Sequence, residues 1–196
     1  MFEIEYPEGA TPLDPDSLNG LIPDLLTQAD LNEFEARNIA QAETWARRAR
    51  GDNKNMLLLT TLRKLHQKMF DQTWKWAGSF RRYETNIGIA PEKIAIELQQ
   101  LCDNTQYQIE NDPEASWDEL AVRFHWKLTA IHSFPNGNGR HARLATNILL
   151  RRNGQSTFTW GSTSLIEAGR TRTEYMAALR EADQGEIERL LRFVRT

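Results

Sequence analysis

Residues 131–143, Ile131-His132-Ser133-Phe134-Pro135-Asn136-Gly137-Asn138-Gly139-Arg140-His141-Ala142-Arg143, carry the residue types that phosphate chemistry needs. Pro135 and Gly137 break an apolar helical run, because proline lacks an N–H and glycine reaches backbone angles that other residues avoid. Gly139 releases the chain into a second helical run, Arg140–Arg152, so the loop Asn136–Gly139 lies at a helix N-terminus. Unpaired backbone N–H groups and the helix dipole favour an anion there. Arg140 and Arg143 are three residues apart, on one helix face, and can reach the same anion as two guanidinium forks. His132 stands just before the loop, where it could take a proton from a nucleophile arriving at a bound phosphate. The ensemble points to phosphoryl or nucleotidyl transfer. It is neither a P-loop nor a dinucleotide fingerprint, since no Gly-Lys-Ser/Thr and no Gly-x-Gly-x-x-Gly follows a strand.

The elements that must position this stretch are mostly helical. Asp30 followed by Glu33 predicts the start of a helix running to about Arg50, with Gly51 beyond its end. Leu58, Leu62, Leu65, Met69 and Phe70 recur at helical spacing within 54–76. Phe80–Ile89 has β-branched and aromatic residues around Asn86 and Gly88, which predicts a β-hairpin. Pro91 opens a helix carrying Ile94, Leu98 and Leu101, and Ser116 with Glu119 makes a capping box for the next. Leu120, Phe124, Leu128 and Ile131 form the buried stripe of that helix, which delivers His132 at its C-terminal end. Thr171 with Glu174 predicts another capping box, and a last helix carries Ile187, Leu190, Leu191 and Val194. Residues 1–26 read as an irregular arm laid over this body. The fold class is all-α with one short hairpin.

A chain of 196 residues and 22.6 kDa is long enough for one sizeable core. A net charge of −3 and a pI near 5.9 argue against direct nucleic-acid binding, which calls for a basic surplus. Cys102 is the single cysteine, so no intrachain disulfide forms, and its apolar helical setting makes it a small core residue. Met1–Tyr6 lacks the features of a signal peptide, and no run is long enough to cross a bilayer. The expected location is the cytoplasm, without membrane attachment. His125 and His141 beside His132 could suggest zinc, but no His-Glu-x-x-His or paired-cysteine pattern accompanies them.

The stretch His132–Arg143 resembles the motif of Fic-domain (Fic/Doc, Fido) proteins, His-x-Phe-x-Asp/Glu-Gly-Asn-Gly-Arg-x-x-Arg, at every position except Asn136, where the family has an acid. Leu65–Phe70 and Trp74–Arg81 are similar to an earlier block of that family, and the subgroup called mobile mystery protein B shares the length, the opening residues and the asparagine. The resemblance implies a Fic-type helical bundle over 54–196 with a hairpin flap. Residues 1–53 are expected to form an N-terminal arm and helix packed on the core, in a single structural unit.

It further implies a protein adenylyltransferase that moves AMP from ATP to a Ser, Thr or Tyr hydroxyl of a target protein. On that reading His132 is the catalytic base, Phe134 anchors the loop, and Gly137, Asn138 and Gly139 face the phosphates with help from the Asn138 amide. Arg140 and Arg143 neutralise the β- and γ-phosphates, and the flap Tyr83, Glu84, Thr85, Asn86 and Ile87 aligns the target. Asn136 would be a weak Mg²⁺ ligand, since Mg²⁺ prefers charged oxygen, and an acid restored there is expected to tighten the metal. The inhibitory Ser/Thr-x-x-x-Glu-Gly/Asn segment of many relatives is not matched. Glu33 and Glu35 lack its neighbours, and Thr163–Glu167 ends in Ala168, so a separate antitoxin-like inhibitor is expected. Two rival readings remain: transfer of another phosphate-containing group, and a degenerate fold that binds a nucleotide or partner without turnover.

Overall fold

A computed structural model of the chain describes residues 12–51, 55–162 and 169–196. Among these are helices α1 (Pro15–Leu18), α2 (Gln28–Arg48), α3 (Leu59–Phe70), α4 (Ile94–Asn111), α5 (Trp117–Ile131), α6 (Asn138–Arg152), α7 (Arg170–Asp183) and α8 (Glu188–Phe193). A 3₁₀ turn, Pro91–Lys93, leads into α4, because proline suits the first turn. Antiparallel neighbours α5 and α6 form the centre. The outer faces of that pair carry two cores. Leu120, Phe124, Leu128, Ala142, Ala145 and Ile148 join α2, α3 and α4. Ala121, Val122 and Leu150 join Tyr175, Ala178, Ala182, Leu190 and Phe193 of α7 and α8. Burying a large apolar side chain contributes about 1.5–3 kcal/mol, so a pair buried on both sides anchors both cores.

Several boundaries differ from those read in sequence, each for a tertiary or capping reason. Thr27 caps α2 rather than Asp30, with the Thr27 hydroxyl accepting from the Asp30 N–H and the Asp30 carboxylate from the Thr27 N–H. Helix α3 stops at Phe70 instead of running on to Trp76. Asn38, buried on α2, gives its amide N–H to the Lys68 carbonyl and accepts from the Gln72 N–H, which diverts the chain into turns. Gly169 caps α7, and the Glu174 carboxylate expected to cap it instead takes two hydrogen bonds of 2.8 Å from Arg189 of α8.

The N-terminal arm lies across the turns after α3. Ile22 N–H donates to Thr73 O at 2.9 Å, Lys75 N–H to Gly20 O at 2.8 Å, and the Trp76 indole to Ser17 O at 3.0 Å. The predicted Phe80–Ile89 hairpin is not formed: no strand and no backbone–backbone hydrogen bond occurs within 82–88 among the described residues. Its ends are tied instead to the end of α5, through Arg81 N–H to Ser133 O and Ile89 N–H to Ile131 O. Exposure alternates residue by residue from Arg82 to Gly88, as in an extended segment with one face on the protein. No helix among the described residues is long and apolar enough to cross a membrane.

Candidate active site

Helix α5 ends at His132 in the left-handed conformation, φ 53°, with its N–H still bonded to Leu128 O. Gly137 is left-handed too, φ 78°, and a Cβ there would meet the Phe70 ring at 2.5 Å, so only glycine lets the loop lie on that ring. Asn138 then starts α6. The turn is held from beneath by two aromatic groups. Phe134 is buried and stacks on His66 at 3.7 Å. His66 accepts the Gly78 N–H at Nδ1, so Nε2 carries the proton and donates to Asn136 O at 3.0 Å. Burial holds the His66 pKa well below its usual value, which keeps this tautomer neutral.

Asn138 has a different task from the one expected. Its carbonyl accepts the Phe134 N–H at 2.9 Å and its amide donates to Phe134 O at 2.8 Å. Both amide atoms staple the loop shut and the Gly137 N–H is taken by Asn136 Oδ1, so the groups of 138–139 suited to an anion are backbone N–H groups at the helix start.

Arg81 was missed in sequence as a site residue. Its buried guanidinium donates from Nε to His132 O at 2.6 Å, from Nη1 to Tyr83 O at 2.9 Å, and from Nη2 to the Ile89 and Ile131 carbonyls. It thereby ties the flap segment to the end of α5 that carries His132. A Cβ on Gly88 would fall 2.6 Å from Arg81 Nη2 and 2.7 Å from His132 Cβ, which shows how tightly the segment crosses the histidine. Its presence in the Trp74–Arg81 block was the available signal.

Burial, and then the Arg81 charge, lower the His132 pKa to about 4. The favourable field expected at a helix C-terminus is outweighed by these two effects, so the imidazole is neutral at pH 7. A hydrogen bond to the Thr129 backbone takes one ring N–H and fixes the tautomer.

Arg143 folds back over the first turn of α6, where a Cβ on Gly139 would lie 3.6 Å from its Nη1. The guanidinium lies over the Tyr175 ring, 5.5 Å from its centre, and the Tyr175 hydroxyl is 2.8 Å from His125 Nε2. Helix α7 thus braces Arg143, a partnership invisible in sequence. Arg140 points elsewhere: Nη1 is 2.5 Å from Glu35 Oε2 on α2, and Nη2 donates to Asn136 Oδ1 at 3.2 Å. Tyr83 is turned to the N-terminal arm, its hydroxyl 3.1 Å from Ser17 Oγ, and burial raises its pKa to about 12. Glu84 and Asn86 are exposed, Thr85 and Ile87 half-buried, and the Thr85 hydroxyl donates to Ile87 O.

The donor set does not fit a protein-held Mg²⁺. Asn136 Oδ1 already accepts from Gly137 N–H at 2.5 Å and from Arg140, and a guanidinium beside it repels a cation. Among the described residues no three His, Cys, Asp or Glu side chains converge as a metal site, His125, His132 and His141 included. Thr163–Glu167, the segment with inhibitory spacing, lies outside the described residues.

The Fic/DOC family model matches residues 57–150. A protein adenylyltransferase fic-1 of Caenorhabditis briggsae is 32% identical over 124 residues, which are 60% of this chain and 22% of the relative. The chain therefore spans about a fifth of the length of the curated relatives it matches. Fic-1 (residues 134–508) from C. elegans superposes with a TM-score of 0.68 at 22% identity, over 91% of this chain and 51% of that one. BepC from Bartonella tribocorum, solved with bound AMPPNP, superposes at 0.66 and 20% identity, over 87% of each chain. At these identities the structural likeness speaks to fold.

Proposed function

Because this chain carries a Fic/DOC-family domain over residues 57–150, we propose that it transfers AMP from ATP to a hydroxyl side chain of a target protein. The observation that carries this reading is the junction of α5 and α6. A neutral imidazole at the end of α5, the helix-start N–H groups of α6 and the Arg143 guanidinium are gathered between residues 132 and 143. In the reaction His132 removes the hydroxyl proton and the oxygen attacks the α-phosphorus. The bond to the bridging oxygen then breaks, and pyrophosphate leaves against the N–H groups and Arg143. The triphosphate's negative charge opposes the Arg81 field and raises the basicity of His132 when it is needed.

The names of the relatives and the AMPPNP bound by BepC support ATP as the donor. Mg²⁺ enters, on this reading, with the triphosphate rather than on a protein carboxylate. The flap Tyr83–Ile87 offers the target an extended segment that makes no backbone–backbone hydrogen bond among the described residues, suited to strand addition. The target is a protein with a Ser, Thr or Tyr hydroxyl, the setting is cytoplasmic, and a separate antitoxin-like protein restrains the enzyme. The mobile mystery protein B subgroup and a place in a toxin–antitoxin pair belong to the same proposal.

Incubating the chain and a cell lysate with ATP labelled at the α- or the γ-phosphate tests the reading. Label on protein from α-labelled ATP alone is expected. Label from the γ-position would mean transfer of a different group, and nucleotide binding without label would mean a binder. Arg143→Ala is expected to weaken ATP roughly 10- to 100-fold, the size of a lost charge-assisted hydrogen bond, and AMP far less. Calorimetric titration with both nucleotides checks this. Equal losses would remove Arg143 from the terminal phosphates.

A further inference from the structure

The asparagine at 136 has a counterpart on another helix. Glu35 is buried on α2, 5% exposed, and both of its oxygens are used. Oε1 accepts the Trp74 indole N–H at 2.7 Å, and Oε2 is 2.5 Å from Arg140 Nη1. The Arg140 guanidinium lies over the Phe70 ring at 4.9 Å, and its Nη2 reaches Asn136 Oδ1. One carboxylate, one guanidinium and one neutral amide therefore form a closed row from α2 to the phosphate-facing loop. Two of the five guanidinium N–H donors are taken, which leaves others for an anion.

We propose that the Glu35–Arg140 pair stands in for an acid–metal pair at this loop. Glu35 is a positioning residue that holds Arg140 as a fixed cation beside the phosphates, and residue 136 is neutral because that cation already has its carboxylate. The inference rests on the loop being a triphosphate cradle. The charge count supports it. Glu35 and Arg140 cancel and Asn136 adds nothing, so the Arg143 charge remains to attract an anion. An aspartate at 136 would place two carboxylates on one guanidinium, cancel that excess, and aim a negative oxygen toward the phosphates. A plain structural ion pair pinning α2 to the loop explains the Glu35 contact. It does not explain why the second contact of Arg140 is an uncharged oxygen.

The test is triphosphate affinity of the full chain, in Mg²⁺ and in chelator, for wild type, Asn136→Asp, Glu35→Gln and the double variant. Wild type is expected to bind with affinity that changes only a few fold between the two conditions. Asn136→Asp should bind on the order of tenfold more weakly in both. The double variant, returned to one carboxylate on Arg140, should recover to within a few fold of wild type. Glu35→Gln alone should bind a few fold more weakly, because Arg140 loses its hold; losses that add in the double variant make Glu35 merely structural and overturn the proposal. So does tighter binding by Asn136→Asp in Mg²⁺ that disappears in chelator, since an acid there would then be recruiting a metal. If the double variant does not fold, the Mg²⁺ dependence of Asn136→Asp alone decides. Absence of any nucleotide binding by wild type would sink the cradle itself, a result distinct from a wild type that binds and an Asn136→Asp variant that binds better.

Discussion

His132→Ala is expected to lower label transfer by a factor of about 10²–10⁴, the usual contribution of a positioned general base, with triphosphate affinity within a few fold of wild type. The split follows from geometry. The imidazole sits at the end of α5 with one nitrogen on the Thr129 backbone, and the proposed function gives it chemistry rather than binding. On the proposed function, phosphate affinity resides in the start of α6 and in Arg143, which the substitution leaves in place. The backbone adds a complication, because φ at 132 is 53° and alanine is strained in that region by about 1–2 kcal/mol. His132→Asn is the control, since asparagine tolerates left-handed backbone yet is no base. Both variants should lose transfer alike. Single-turnover transfer and equilibrium titration measured side by side check the prediction. An affinity loss as large as the rate loss would move His132 from chemistry to binding.

Acid should unfold this protein earlier than an ordinary helical domain. Burial lowers the pKa of His125 to about 3 and of His132 and His141 to about 4, and holds His66 well below its usual value. These groups are bases whose folded pKa lies below the unfolded value. Between about pH 6.5 and pH 4 the unfolded chain therefore takes up protons that the folded chain refuses, and stability falls as pH falls. Their neutral burial costs nothing through this route above pH 6.5. Each histidine contributes about 1.4 kcal/mol per pH unit, so His125, His132 and His141 together remove about 6 kcal/mol by pH 5 and His66 adds in the same direction, comparable to a typical domain stability of about 5–15 kcal/mol. Urea denaturation at pH 7, 6 and 5 is expected to show the steepest loss in the last interval. A flat profile, or imidazole NMR signals titrating near pH 6.5 in the folded protein, would mean that the histidines ionise in place.

By itself the sequence determined the local chemistry and the periodic elements. Pro135 and Gly137 break the helical run by their own backbone preferences, and the His132–Arg143 spacing puts a histidine before a helix start whatever surrounds it. The apolar stripes of α5 and α6 were legible because burial repeats at the helical period. Tertiary structure decided everything that depends on residues far apart in the chain. Asn38 ends α3 across 30 residues, and Arg81 replaces the expected hairpin ladder by gathering four carbonyls. Tyr175 braces Arg143 from α7, and Glu35 meets Arg140 across 105 residues. The physical reason is the same in each case. A buried charge or polar group must find a partner within hydrogen-bond reach, and the identity of that partner depends on which helices pack together rather than on any local pattern. The two arginines of the motif, alike in sequence, therefore end up with different neighbours: one faces a carboxylate, the other a phenol.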